Sequence, residues 1–248
     1  MKRNIILTFI AALLICSACK KGLSDYPPSK PIVDVPEVEV VGFDSTYRPD
    51  TYRQKVAEFN AQTRAATDIV FIGNSITAGT DWNTLLGLTI AKNRGISGDI
   101  TYGVIERMQE VINGKPAKVF ILIGINDLAR GVTEKYIVKN YIRMIRLIKA
   151  GSPQTKIYFQ GMLPVNETVL TSGAVKFPNH VNKRAEIQAI NARLLTICAD
   201  EGVTFVNLYD SFVDTNGRMN TIYTYDGLHL SADGYQRWKT VLTTNGYL

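Results

Sequence analysis

Histidine and cysteine are scarce in this 248-residue chain, which has two of the former and three of the latter. With neither an H-E-x-x-H pair nor a cysteine cluster, the spacings that hold zinc are missing, and no metal or other cofactor is expected. Lysine and arginine outnumber the acids by enough to give a formal charge of +6, yet they form no run and no aromatic-interleaved stripe. Nucleic-acid binding therefore has little support beyond the charge itself. The apolar run at residues 5–15 falls short of the roughly 20 residues that span a bilayer. No internal repeat is present, and only one linker is visible.

The N-terminus follows an export pattern. Met1-Lys2-Arg3 precedes the apolar run, which ends in Cys16-Ser17-Ala18-Cys19, the order of a signal peptide. The two small residues before Cys19 resemble a lipobox, which implies a signal peptide over residues 1–18 and lipidation of Cys19. Cys16 stands where leucine is usual in that motif. A C-x-x-C redox pair is the rival reading, but it belongs beside a βαβ pattern and not inside an export signal. Removal of Lys2 and Arg3 lowers the charge from +6 to +4 and leaves Cys198 without a disulfide partner. Cys198 lies in an apolar helical stretch and reads as a small core residue. Residues 19–45 carry Pro27, Pro28, Pro31 and Pro36 and read as an extended tether. The folded domain is expected over residues 46–248.

Within that domain, strand-like apolar runs alternate with segments of helical period. The strand candidates are residues 68–72, a weaker run at 89–91, 119–123, 157–159 and 203–206. Helical spacing shows in Tyr52/Val56/Phe59, Val104/Met108/Val111, Ile137/Tyr141/Met144/Ile148 and Tyr235/Trp238/Leu242. Such alternation predicts an α/β fold, a three-layer α/β/α sandwich around a parallel sheet of about five strands.

In an open parallel sheet, ligands bind outside the C-terminal ends of the strands. Three loops expected there are unusual: Gly73-Asn74-Ser75-Ile76-Thr77, Asn93-Arg94-Gly95-Ile96-Ser97-Gly98-Asp99 and Gly124-Ile125-Asn126-Asp127. A fourth segment, Asp226-Gly227-Leu228-His229, precedes the last helix. Taken singly, each reads as a turn or a cap: Gly98 as a backbone-conformation glycine, Asn126 as a turn former, Asp226 with Ser231 as a turn and helix cap. Their joint occurrence in chain order points to nucleophilic catalysis. A serine hydroxyl needs an adjacent base at neutral pH, and His229 is better placed than His180 because Asp226, three residues earlier, can reach its Nδ1 and fix its tautomer. His180 reads as a surface or pocket-wall residue. Trp238 reads as core, Trp82 as core or pocket lining, and Leu163-Pro164-Val165-Asn166 as part of the pocket rim.

Over about residues 67–242 the chain resembles the SGNH hydrolases, or GDSL esterases. The four blocks correspond to G-N-S-I-T, N-R-G-I-S-G-D, G-I-N-D and D-G-L-H, with Asn74 where the name-giving pattern has aspartate. An elbow of the G-x-S-x-G type is missing, which makes the α/β-hydrolases a weaker match. The resemblance implies the SGNH hydrolase, flavodoxin-like fold, with Ser75, Asp226 and His229 as catalytic residues. It also implies an oxyanion hole formed by the backbone N–H groups of Ser75 and Gly98 and the side-chain amide of Asn126. The expected reaction is hydrolysis of a short-chain ester, with O-acetyl groups on carbohydrates as the first candidate. Lysophospholipid or thioester cleavage, acetyl transfer to a sugar, and a binding lipoprotein without catalysis are the alternatives. The expected setting is outside the cytoplasm, on a lipid anchor in the outer membrane facing the periplasm; the sequence does not reveal an oligomeric state.

Overall fold

The computed structural model describes residues 42–248. The expected signal peptide, Cys19 and nearly all of the expected tether lie outside the described residues. Phe43, at the tether's expected end, packs its ring against Tyr136 at 5.2 Å and Tyr102 at 6.0 Å.

Five strands form one parallel sheet: β1 (Ile69–Gly73), β2 (Ala91–Gly95), β3 (Lys118–Leu122), β4 (Lys156–Gln160) and β5 (Thr204–Val206), in the order β2-β1-β3-β4-β5. Helices alternate with them: α1 (Tyr52–Ala61), α2 (Ser75–Ala78), α3 (Trp82–Leu86), α4 (Thr101–Glu106), α5 (Met108–Gly114), α6 (Ile125–Ala129), α7 (Glu134–Gly151), α8 (Pro178–Val181), α9 (Arg184–Asp200), α10 (Tyr209–Phe212) and α11 (Ala232–Thr244). The expected α/β class and strand count hold.

Both faces of the sheet are covered, so the central strands are apolar without alternation; all five residues of β1 are buried. On one face an aromatic row crosses the sheet along the strand register. Trp82 stacks on Phe71 at 3.8 Å, Phe71 on Phe120 at 4.9 Å and Phe120 on Tyr158 at 4.6 Å, and Phe71 is the register partner of Phe120. Trp238 of α11 meets Trp82 edge-on at 4.9 Å. Each fully buried ring of this kind is worth about 1.5–3 kcal/mol in transfer free energy. On the opposite face, Tyr141 of α7 packs on Phe159 of β4 at 4.6 Å, and α4, α5 and α9 contact α7. Trp238 is core, as expected, and so is Trp82: its indole N–H donates to the Thr77 carbonyl at 3.0 Å. Cys198 is buried on α9, and burial pushes its thiol up to about 12.

Two expected elements differ. The second strand begins at Ala91, so Asn93, Arg94 and Gly95 belong to the strand and not to the loop after it. The apolar stripe Val104/Met108/Val111 is buried as expected, but the helix is interrupted at Arg107, whose guanidinium turns inward to donate to Asp99 Oδ2 at 2.9 Å and to the Gly73 carbonyl at 3.0 Å. That buried group ties the end of β1 to the loop after β2.

Candidate active site

The strand order reverses between β1 and β3, and the crevice at their C-terminal ends is where such a fold binds ligands. Ser75 and Asn126 enter this crevice from β1 and β3. Asn74 caps α2 by accepting the Ile76 N–H on its Oδ1 at 3.0 Å, which sets the turn that presents Ser75. Ser75 Oγ lies 3.0 Å from His229 Nε2, a contact across 154 residues of sequence.

His229 is held by the turn before α11. Asp226 Oδ1 accepts the backbone N–H of Leu228 at 3.0 Å and of His229 at 2.7 Å, while Oδ2 meets His229 Nδ1 at 2.9 Å. Burial raises the carboxyl's pKa, but the bonds from the His229 backbone, the His229 ring and the Leu228 backbone outweigh it and hold Asp226 below the usual carboxylate range. A charged Asp226 can only accept, so Nδ1 carries the proton and Nε2 presents its lone pair to the Ser75 hydroxyl. Thr224 Oγ1 donates to the His229 carbonyl at 2.7 Å and receives the Gly227 N–H at 2.9 Å, closing the turn. Gly227 adopts φ +84°, and a Cβ there would lie 2.2 Å from the Asn166 carbonyl oxygen. Ser231 caps α11 through the Gly234 N–H at 3.2 Å, so the capping role read from the sequence coexists with the Asp226–His229 pair.

Gly98 sits in the turn after β2, beside the β1 edge: the Ile96 N–H donates to the Gly73 carbonyl at 3.1 Å, and the Asp99 N–H closes the turn on the Ile96 carbonyl at 3.1 Å. Gly98 has φ +79°, while a Cβ would meet Pro49 and Tyr47 no closer than 3.4 Å. The glycine is thus required by its left-handed backbone more than by space. Asn126 is buried and spans to the same turn, donating from Nδ2 to the Asp99 carbonyl at 2.9 Å. The next residue, Asp127, is buried and receives the Thr101 N–H at 3.0 and 3.1 Å and its hydroxyl at 2.5 Å. Burial dominates over these bonds, and the nearby Asp99 adds to it, so Asp127 is pushed up to about 7.

The expected residues Ser75, Gly98, Asn126, Asp226 and His229 thus meet at one sheet edge. Three features there go beyond the sequence reading. His180, read as surface or pocket wall, lies with Nε2 at 3.0 Å from Asn126 Oδ1. Phe177 presents its ring to both imidazoles, at 5.7 Å from His180 and 5.1 Å from His229. Tyr225 is exposed and lies parallel to the His229 ring at 6.0 Å. Long-range contacts bring the first two in, and only Tyr225, adjacent to Asp226, had a local signal. Leu163, Pro164 and Val165 line an apolar pocket, with Ile76, Ile125 and Leu228, the immediate neighbours of Ser75, Asn126 and His229. Among the described residues, no cluster of three or more His, Cys, Asp or Glu side chains could hold a metal.

A hydroxyl, an imidazole and a buried carboxylate in hydrogen-bonded series form the arrangement that deprotonates a serine for attack on a carbonyl. Known proteins are similar to this chain in sequence and fold. Human platelet-activating factor acetylhydrolase IB subunit alpha2 is 27% identical over 177 residues, covering 68% of this chain and 72% of that one. The structure of a GDSL-like lipase from Bacteroides thetaiotaomicron superposes with a TM-score of 0.63 at 28% identity, covering 79% of this chain and 98% of the other. An acetyl-xylooligosaccharide esterase from Geobacillus shares the fold at 18% identity, with a TM-score of 0.57 over 73% of this chain and 94% of its own. The family model for GDSL-like lipases and acylhydrolases matches residues 71–237. This chain belongs to the GDSL-like lipase/acylhydrolase family.

Proposed function

We propose that the protein hydrolyses short-chain carboxylic esters, with O-acetyl groups on carbohydrates as the favoured substrates. The observation that carries this reading is the series Ser75 Oγ–His229 Nε2 at 3.0 Å and His229 Nδ1–Asp226 Oδ2 at 2.9 Å. Ser75 Oγ attacks the ester carbonyl as its proton passes to His229 Nε2, and the imidazolium is stabilised by Asp226. His229 then gives that proton to the departing alkoxide, which leaves as the alcohol, and an acyl ester on Ser75 remains. Water attacks this ester with His229 again as base, releasing the acid and restoring the serine. The negative oxygen of each tetrahedral intermediate is received by the backbone N–H groups of Ser75 and Gly98 and by Asn126 Nδ2.

A short acyl group is supported by the pocket beside Ser75. It is walled by buried Ile76, Ile123, Ile125, Met162 and Leu228 and encloses only about 10 Å³ of free space, which leaves no room for a long acyl chain. Acetyl is also the group named in the acetylhydrolase relatives. A sugar as the alcohol is supported by Tyr225, which is 59% exposed and offers an aromatic ring beside the His229 base. Enzymatic assay of acetate released from acetylated xylo-oligosaccharides, beside fatty acid released from a lysophospholipid, tests the substrate class. Acetate release alone is expected; fatty acid release alone would favour the lipid-deacylating reading.

The lipid anchor belongs to the same proposal. Cys19 follows an export-type apolar run, and a lipidated chain in the outer membrane would face periplasmic substrates. Incorporation of a labelled fatty acid that persists in Cys19→Ala would sink this part.

A further inference from the structure

We infer that His180 is a positioning residue of the oxyanion hole, its Nε2–H clamping Asn126 so that the amide presents an N–H to the developing oxyanion. The inference rests on the esterase reading above and assigns a role to the second of the chain's two histidines.

The amide of Asn126 has two polar ends and two fixed neighbours. One neighbour is the Asp99 carbonyl, 2.9 Å from Nδ2. A carbonyl can only accept, so the amide nitrogen must face it; the flipped amide would set two acceptor oxygens against each other. The other end, Oδ1, then faces His180 Nε2 at 3.0 Å. Oδ1 can only accept, so Nε2 must carry a proton. His180 is partly buried, and burial, with His229 and Arg130 nearby, lowers its pKa from the usual histidine value, so the neutral ring is favoured. The single proton of a neutral imidazole sits on Nε2 here. This is the reverse of His229, whose proton is held on Nδ1 by Asp226.

With Oδ1 held by His180 and one Nδ2–H held by Asp99, the amide's other N–H is the one left for substrate. A donor held in place before the reaction incurs no reorganisation when the negative charge forms. The Nε2–H bond also withdraws electron density through the amide and strengthens Nδ2 as a donor. His180 itself is fixed by α8, whose first residue is Pro178, and by the Phe177 ring, which packs edge-on to it at 79°. Phe177 makes the same edge contact with His229 at 73°, so one apolar ring separates the base from the clamp.

Removing the clamp frees the amide to turn without taking it away. Loss of a whole oxyanion donor costs about 10² to 10³ in rate, so His180→Ala is expected to cost less, roughly 10- to 100-fold in kcat, with KM nearly unchanged. His180→Gln, which can still donate to Oδ1, is expected to recover much of the rate. Because His180 acts only through Asn126, His180→Ala should cost nothing further in an Asn126→Ala background.

Two measurements on the full protein test this. Long-range ¹H–¹⁵N NMR of the imidazoles should show His180 as the Nε2–H tautomer in wild type and a changed tautomer balance in Asn126→Ala. The kinetic cycle on p-nitrophenyl acetate should show the non-additivity just described. An Nδ1–H tautomer at His180, or losses that multiply in the double variant, would overturn the clamp while leaving the esterase reading intact. A wild type that hydrolyses no ester and whose Ser75 resists a fluorophosphonate probe would overturn the esterase reading, and the positioning role of His180 with it, even where the Nε2–H tautomer is seen.

Discussion

Asp226 holds His229 twice, through different oxygens: Oδ1 takes the histidine's backbone N–H at 2.7 Å and Oδ2 meets its ring Nδ1 at 2.9 Å. One oxygen builds the turn and the other orients the base. The two functions can therefore be separated by chemistry at Oδ2 alone.

Asp226→Asn performs that separation. An asparagine that keeps its oxygen toward the Leu228 and His229 N–H groups preserves the turn and puts an NH₂ against Nδ1. The ring must then accept there and carry its proton on Nε2, where it cannot receive the serine's. A loss of about 10⁴ in kcat is expected by analogy with serine proteases, with the urea midpoint little changed. A variant that retains a tenth of the activity would show that Asp226 does not set the tautomer.

Asp127 gives a pH signature to the folded state. Its carboxyl is raised from 3.8 to about 7, so between those values the folded chain holds a proton that the unfolded chain has released. Its contribution to stability is fully present below about pH 4 and is lost as pH rises through 7. The depressed pKa of His180 works in the opposite sense between its folded and unfolded values, so the informative quantity is a difference between proteins. Urea unfolding at pH 5 and 7.5 should show wild type losing stability relative to Asp127→Asn as pH rises. Parallel pH profiles for the two proteins would contradict the assignment.

The sheet, four of its five strands and the four blocks at its edge were legible because buried parallel strands are continuous apolar runs and because Asp226 and His229 are neighbours in sequence. The second strand was misplaced for a definite reason. It reads Ala-Lys-Asn-Arg-Gly, and its polar residues are satisfied by partners far along the chain: Arg94 by Glu110 and Gln62 and by the Phe59 ring, Asn93 by carbonyls of Thr77 and Thr80. Hydrophobic patterning does not register an edge strand built this way. The bond of His180 to Asn126 is not legible on similar grounds, since the two lie 54 residues apart and no local spacing links them. Arg107, paired with Asp99 through side chains only 2% and 0% exposed, lies inside a stretch whose apolar period suggests an unbroken helix.

Gly227 should be far less replaceable than a glycine with the same hand but open surroundings. Both Gly227 and Gly202 have positive φ, 84° and 62°, but a Cβ at Gly202 meets nothing within 4 Å whereas one at Gly227 runs into the Asn166 carbonyl. Gly202→Ala should cost only the conformational penalty, roughly 1–2 kcal/mol. Gly227→Ala should cost distinctly more and should also lower the hydrolysis rate, because the displaced turn carries Asp226 and His229. Chemical denaturation of both variants, with rates measured beside it, checks this; equal losses of stability would show that the Asn166 carbonyl leaves room for a side chain at Gly227.

Whether Ser75 carries the acyl group is tested by p-nitrophenol release from the acetate and from longer acyl esters by wild type and by Ser75→Ala. Turnover is expected to be fastest on the acetate and to fall by about 10⁶ without the hydroxyl. Hydrolysis that survives in Ser75→Ala at a comparable rate would contradict an acyl ester on Ser75.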